Sequence, residues 1–250
     1  MCELFAARSA TPFRLDDIWP FAERLERFGI AGFGWGVAWR DAGGRLERHR
    51  AQTAFRDDPE RERLGGLETS SALVHLRRPS RLSTLTLPDT QPFLDPAGRF
   101  AFAHNGDFRQ YRARRRAYQA AGRIEGRADS EVGQRWLEDA WEDGQPSRLL
   151  GRLHDEFQGQ ANLGALADDG SLYLHAGNSE NPVFAFRMGD VRVASTGLYS
   201  LDRSLFRFAA PGARERRVIG LGRSLRLDPD GPVAVDRRSP LRAASLSVPA

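Results

Sequence analysis

The stretch "MCELFAARS" (residues 1–9) holds the only cysteine of a 250-residue chain, one position behind the first methionine. Two readings of it are open. Chain termini tolerate variation, so a lone Cys2 there can be without chemical role. Alternatively Cys2 has a chemical role, at the head of "CELFAA" (2–7), a short apolar run of strand length. The remaining sequence decides between them.

Composition sets the bounds. The length suits one globular domain, or at most two small ones, and 40% hydrophobic with 10% aromatic residues describes a folded chain. No run approaches the ~18 apolar residues of a membrane span, and the start lacks the basic-then-apolar pattern of a secretion signal. One cysteine builds neither an internal disulfide nor a cysteine-rich zinc site. A cytoplasmic protein without membrane contact is expected. Net charge is +4 and the pI about 9.9, with arginine as the sole strongly basic residue. The high pI reflects the high pKa of arginine more than a large charge excess. Acids are interleaved with the arginines, as in "FAERLERF" (21–28) and "DDPERER" (57–63). The densest cluster, "YRARRRAYQAAGR" (111–123), reads as a surface helix with arginines on its wet side rather than as a nucleic-acid patch.

Along the chain, "LDDIWPFAERLERFGI" (15–30) has helical spacing with Gly29 as a stop. "GWGVAWR" (34–40), "DAGG" and "RLERHRA" (45–51) read as a β-hairpin. "SALVHLR" (71–77) and "RFAFAHNG" (99–106) are strand-like, joined by a long proline-bearing segment, 78–98, of the length that is usually functional or disordered. Helices are expected over 108–121, 130–141 and 147–157. Strands return at 161–167, 171–177, 183–189 and 191–196, then a hairpin over 224–235, and a loosely held tail from about 238. Strands, then helices, then strands predict a single α+β domain of layered sheets.

Four short motifs place polar groups at strand or helix ends: "GFGWGVAW" (32–39), "VHLRRPS" (74–80), "FAHNGDF" (102–108) and "GRADSE" (126–131). Each has a plain structural reading. Asp129 or Ser130 suits a helix N-cap, Asn105-Gly106 a turn, and His75 and His104 the supporting core. In this order, however, Met1-Cys2, Gly34-Trp35-Gly36, His75-x-Arg77, His104-Asn105-Gly106 and Asp129-Ser130-Glu131 resemble the class II glutamine amidotransferases, in particular the small stand-alone bacterial type that opens "MCEL". The resemblance covers Cys2 to about Glu131 with specific motifs, and runs more faintly to about Arg226.

The resemblance implies the four-layer αββα sandwich of N-terminal-nucleophile hydrolases over residues 1–250. It also implies a mechanism in which removal of Met1 leaves Cys2 with both a thiol and a free α-amine. That amine, with a reference pKa of about 7.7–8.0, suits general-base work near neutral pH. Cys2 would attack the side-chain amide of glutamine or a γ-glutamyl amide, releasing ammonia or an amine and leaving a thioester for water to cleave. Asn105 and the Gly106 N–H would hold the oxyanion, while Arg77 would take the α-carboxylate, Ser80 would offer a hydroxyl to the substrate, and Asp129 would hold the α-ammonium. No metal or organic cofactor is called for. A separate synthase subunit is an expected partner type, and nucleic acid is not.

Three positions depart from the small members' pattern: Phe33 for an aspartate, Gln91 for a histidine in "DTQPF" (89–93), and Ala128 for a threonine. None removes the nucleophile, the oxyanion donors or the charge partners. Two rival readings stay open: a catalytically silent amidotransferase-like subunit, and an arginine-rich protein binding nucleic acid or an acidic partner.

Overall fold

The computed structural model describes residues 2–29, 31–197, 203–229 and 234–236. Chain order begins with β1 (Glu3–Arg14), α1 (Trp19–Gly29), the hairpin β2 (Trp35–Arg40) and β3 (Leu46–Ala51), α2 (Glu60–Gly65) and β4 (Glu68–Leu76). The middle holds β5 (Phe93–Leu94), β6 (Phe100–Phe108), α3 (Arg112–Ala120), α4 (Asp129–Ala140) and α5 (Pro146–Phe157). Then come β7 (Gly159–Ala167), β8 (Leu172–Ala176), β9 (Val183–Met188) and β10 (Val191–Thr196). The last elements are α6 (Arg203–Ala209), β11 (Arg214–Ile219), β12 (Arg223–Leu227) and β13 (Ala234–Asp236). Two antiparallel sheets result, one ordered β11-β9-β10-β1-β4-β2-β3 and the other β13-β12-β8-β7-β6-β5.

Alternation along the strands assembles the layers, because successive side chains of a strand point to opposite faces. In β1, Leu4 and Ala6 enter the core between the sheets, while Phe5 and Ala7 pack on the other side with Phe21, Ala22 and Leu25 of α1. In β6, Ala101 and Ala103 face the first sheet, while Phe100 and Phe102 join Val132 and Leu137 of α4 and Leu150 and Leu153 of α5. Three apolar cores stacked in this way make four layers, helix–sheet–sheet–helix. The middle core is rich in alanine, which lets the sheets approach: a Cβ on Gly164 of β7 would stand 3.0 Å from a methyl of Leu73 in β4.

Two local expectations are corrected. Phe108 does not open a helix. It ends β6, where it is buried with Phe157, and the helix starts only at Arg112. The long segment 78–98 is neither wholly loop nor disordered, since Phe93–Leu94 adds a short strand to the edge of β6. The α2, α6 and β11 stretches were absent from the sequence reading. Arginine and glutamate crowd α2 and β11, α6 carries two arginines, and β11 is mostly exposed, held by its pairing with β9. The expected final hairpin is present as β12 paired with β13. The tail from about 238 lies outside the described residues. Among the described residues no helix is long and apolar enough to cross a membrane.

Candidate active site

Antiparallel pairing brings the motifs together. β1 starts where β4 ends, with Glu3 opposite Leu76, so Cys2 comes to lie beside Arg77 and Arg78. The end of β6, in the facing sheet, supplies His104 to Phe108, and the N-terminus of α4 supplies Asp129. A cavity of about 400 Å³ opens at this junction, lined among others by Cys2, Arg77, Ser80, Gly106 and Asp129. Five of the six predicted site residues thus share one wall-to-wall space.

Cys2 is half-buried, and its Sγ lies 3.3 Å from the Arg78 backbone N–H, which donates to it. Burial pushes the thiol pKa up; the Arg78 N–H and the positive charge of Arg77 pull against that rise. The sixth residue, Asn105, is fully buried behind Cys2, and its Nδ2 donates to the Cys2 backbone carbonyl. The orientation of that amide is fixed from behind. Asn162 of β7 uses its Oδ1 to accept from the N–H groups of Gly177 and Asn178 at 3.1 and 3.2 Å. Its Nδ2 is thereby turned toward the Asn181 carbonyl (2.7 Å) and Asn105 Oδ1 (3.5 Å).

Gly106 is the tightest point of the site. Its φ is +132°, and a Cβ there would fall 1.7 Å from the carbonyl oxygen of Gln160 on β7. Only a residue without a side chain lets β6 run this close to its neighbour at the edge of the cavity.

Arg77 is nearly buried. Its two terminal nitrogens donate to the carbonyls of Asp89 and Thr84, and its Nε has no partner among the described residues. Burial lowers its pKa, opposed by Cys2 and Asp89, but guanidinium remains charged in proteins and keeps donors to spare. Asp129 is the first residue of α4, with Ala128 in the N-cap position, so the N-cap reading of Asp129 is not what forms. Its carboxylate accepts instead from the backbone N–H of Phe108 (2.7 Å) and of Ser130 (3.0 Å), tying α4 to the end of β6.

The positions that depart from the small members' pattern are accommodated in three ways. Gln91 is buried, and its Oε1 accepts from the His104 N–H at 2.6 Å, satisfying β6 beyond the end of the short β5. Gly36 makes room for this segment, since a Cβ there would lie 2.3 Å from the Gln91 carbonyl. Asp89 holds the N–H groups of Arg127 and Ala128 on one carboxylate oxygen, at 2.6 and 2.7 Å. Phe33 is exposed and contributes its backbone N–H to the Arg77 carbonyl.

Both motif histidines are supports. His104 stacks flat on Phe108 at 4.3 Å, and burial lowers its pKa. His75 is fully buried, and burial, with the Arg77 charge adding to it, pushes its pKa down to about 3. A histidine that stays neutral in the fold but titrates near 6.5 when unfolded makes the unfolded state bind more protons between those values. His75 therefore withdraws stability as pH falls from about 6.5 toward 3, by up to about 1.4 kcal/mol per pH unit. Urea unfolding at pH 7, 5.5 and 4.5 should show a steeper acid-side loss in the wild type than in His75→Leu. Parallel profiles would contradict the assignment.

Sequence reasoning missed the arginines of the cavity rim. Arg112 falls in the 111–123 cluster assigned to a wet helix face, yet it lines the cavity, as do Arg109 and Arg127. Asn162 was also missed. An asparagine inside the apolar run "ANLGALA" was the available signal. Among the described residues, no group of three His, Cys, Asp or Glu is placed to hold a metal ion.

This geometry is that of an N-terminal-nucleophile amidotransferase fold. Residues 1–187 match the model of the class-II glutamine amidotransferases, and the chain belongs to that family. Among solved structures, it is similar to glutamine phosphoribosylpyrophosphate amidotransferase from B. subtilis complexed with ADP and GMP, with TM-score 0.75 and 17% identity over 94% of this chain and 49% of that one. The allosteric regulatory enzyme of purine biosynthesis matches equally well, at TM-score 0.75 and 18% identity, with the same coverage. A glutamine aminotransferase class-II domain protein from Silicibacter pomeroyi matches at TM-score 0.61 and 19% identity, over 95% of this chain and all of that one. The chain thus spans about half the length of the first two. No curated protein matches it.

Proposed function

We propose that this protein hydrolyses the side-chain amide of glutamine or of a γ-glutamyl amide, with Cys2 as nucleophile. The observation that carries the reading is that Cys2, Gly106, Arg77 and Asp129 line one cavity. An amino acid carries opposite charges on its α-carbon, and Arg77 and Asp129 offer the matching pair, with the Ser80 hydroxyl beside them.

Removal of Met1 exposes the α-amine of Cys2, which takes the thiol proton directly or through a water. The Sγ–C bond forms at the amide carbon. The oxyanion lies toward the Gly106 N–H and the Asn105 amide, which is already engaged at the Cys2 carbonyl. The C–N bond then breaks, and the amine leaves with the proton held by the α-amine. Water adds to the thioester, the C–S bond breaks, and the thiol regains its proton as glutamate departs. A synthase subunit that receives the ammonia fits this reading as partner.

Intact mass before and after treatment with 6-diazo-5-oxo-norleucine tests it. The expected result is a chain beginning at Cys2 that gains one adduct, is protected by excess glutamine, and stays unlabelled as Cys2→Ala. A chain that keeps Met1, or a processed chain without adduct, overturns the proposal.

A further inference from the structure

The cavity's charge exceeds what glutamine needs. Besides Arg77, its lining includes Arg78, Arg81, Arg109, Arg112 and Arg127, against only two acids, Asp107 and Asp129. That excess of four positive charges is as large as the excess of the entire chain. These arginines come from three separate segments: the loop after β4, the turn after β6 with the first residue of α3, and the approach to α4. Elsewhere the arginines are commonly paired, as in Arg99 with Asp95, Arg114 with Glu156 and Arg135 with Glu138. Among the described residues, none of the five has a carboxylate within ion-pair distance, although Arg112 lies 5.9 Å over the Tyr111 ring. Neighbouring Arg115 shows the contrast, with both terminal nitrogens spent on the carbonyls of Gly126 and Ala128.

One α-carboxylate occupies one guanidinium fork. Converging unpaired cations in a concave site raise the local concentration of anions and leave several forks unused. The volume of about 400 Å³ lies within the range of small-molecule sites, about 300–1,000 Å³, and a free amino acid does not fill it.

We infer that the substrate is a γ-glutamyl amide whose leaving amine itself carries one or more acidic groups, held by Arg78, Arg81, Arg109, Arg112 and Arg127. This rests on the proposed amide hydrolysis and extends it from the γ-glutamyl end, which Arg77 and Asp129 face, to the leaving group. These five arginines, exposed except for the half-buried Arg78, act as specificity determinants, and the α-carboxylate pocket stays as described.

The test compares γ-L-glutamyl-L-glutamate with γ-L-glutamyl methylamide. At low ionic strength, kcat/KM is expected to favour the acidic substrate at least tenfold. The ratio should shrink toward one as salt is raised, because exposed charges are screened over about a Debye length. The double variant Arg109→Gln, Arg112→Gln should lose most of the preference while keeping its activity on the methylamide. Equal rates for the two amides, or a preference indifferent to both salt and the double variant, overturns the inference. Calorimetry on Cys2→Ala reads the same preference as binding, without turnover. Tighter binding of the acidic amide there supports the inference even where hydrolysis fails, which separates it from the catalytic proposal. Equal binding of both amides, binding of neither, or displacement of the acidic amide by single-stranded oligonucleotide at lower concentration counts against it.

Discussion

Cys2→Ala is expected to abolish glutamine and γ-glutamyl amide hydrolysis while leaving the fold intact. No other thiol exists in the chain, so nothing replaces the lost nucleophile. The Sγ is half-buried, and the contacts it makes are with the backbone of Arg78. Neither contact closes a core cluster, and a substitution of this kind away from packed apolar surface shifts stability by about 1 kcal/mol or less. Activity should therefore fall to background with the urea midpoint nearly unchanged. Residual turnover in the purified variant, tested with the contaminating glutaminases of the host removed, would rule Cys2 out as nucleophile. A collapse in stability would make Cys2 a packing residue instead.

Gly106→Ala should do the opposite and damage both properties together. The glycine's φ of +132° is strained for any residue with a side chain, at about 1–3 kcal/mol. The new Cβ would also stand 1.7 Å from the Gln160 carbonyl, backbone that cannot swing aside as a side chain tip can. β6 must part from β7 locally, for a total on the order of 3–5 kcal/mol. Because the same movement displaces the Gly106 N–H, kcat should drop by about 10²–10³, the usual effect of losing one oxyanion donor. Gly98→Ala is the control. It shares a positive φ, +73°, but a Cβ there meets nothing within 4 Å, so it should cost about 1 kcal/mol and leave kcat alone. Thermal melts and steady-state rates of the two variants side by side check both claims. Equal effects at Gly98 and Gly106 would sink the account of Gly106.

Much of the architecture was legible in the chain because local pattern and final packing agree. The runs in β1, β4 and β6 are apolar at consecutive positions because their residues alternate between cores on both sides of each sheet. The hairpin of β2 and β3 and the helices α4 and α5 carry their own turn and amphipathic signals. Phe108 lies beside a helical arginine pattern in the sequence, but its pairing with Gly159, its N–H donated to Asp129 and its burial against Phe157 keep it in the strand.

The site divides along the same line. The residue types and order of Cys2, Arg77, Asn105, Gly106 and Asp129 stand in the sequence, since an N-terminal thiol, a Gly that must lack Cβ and a charged pair are properties of single positions. What those groups touch was decided by pairing between distant strands. The antiparallel register of β1 on β4 sets Cys2 beside Arg78, and the pairing of β6 with β7 lets Asn162 orient Asn105. The arginine-lined rim belongs wholly to the tertiary structure. Arginines that look solvated one segment at a time become one field only when three loops converge on the same cavity, because charge adds through space and not along the chain.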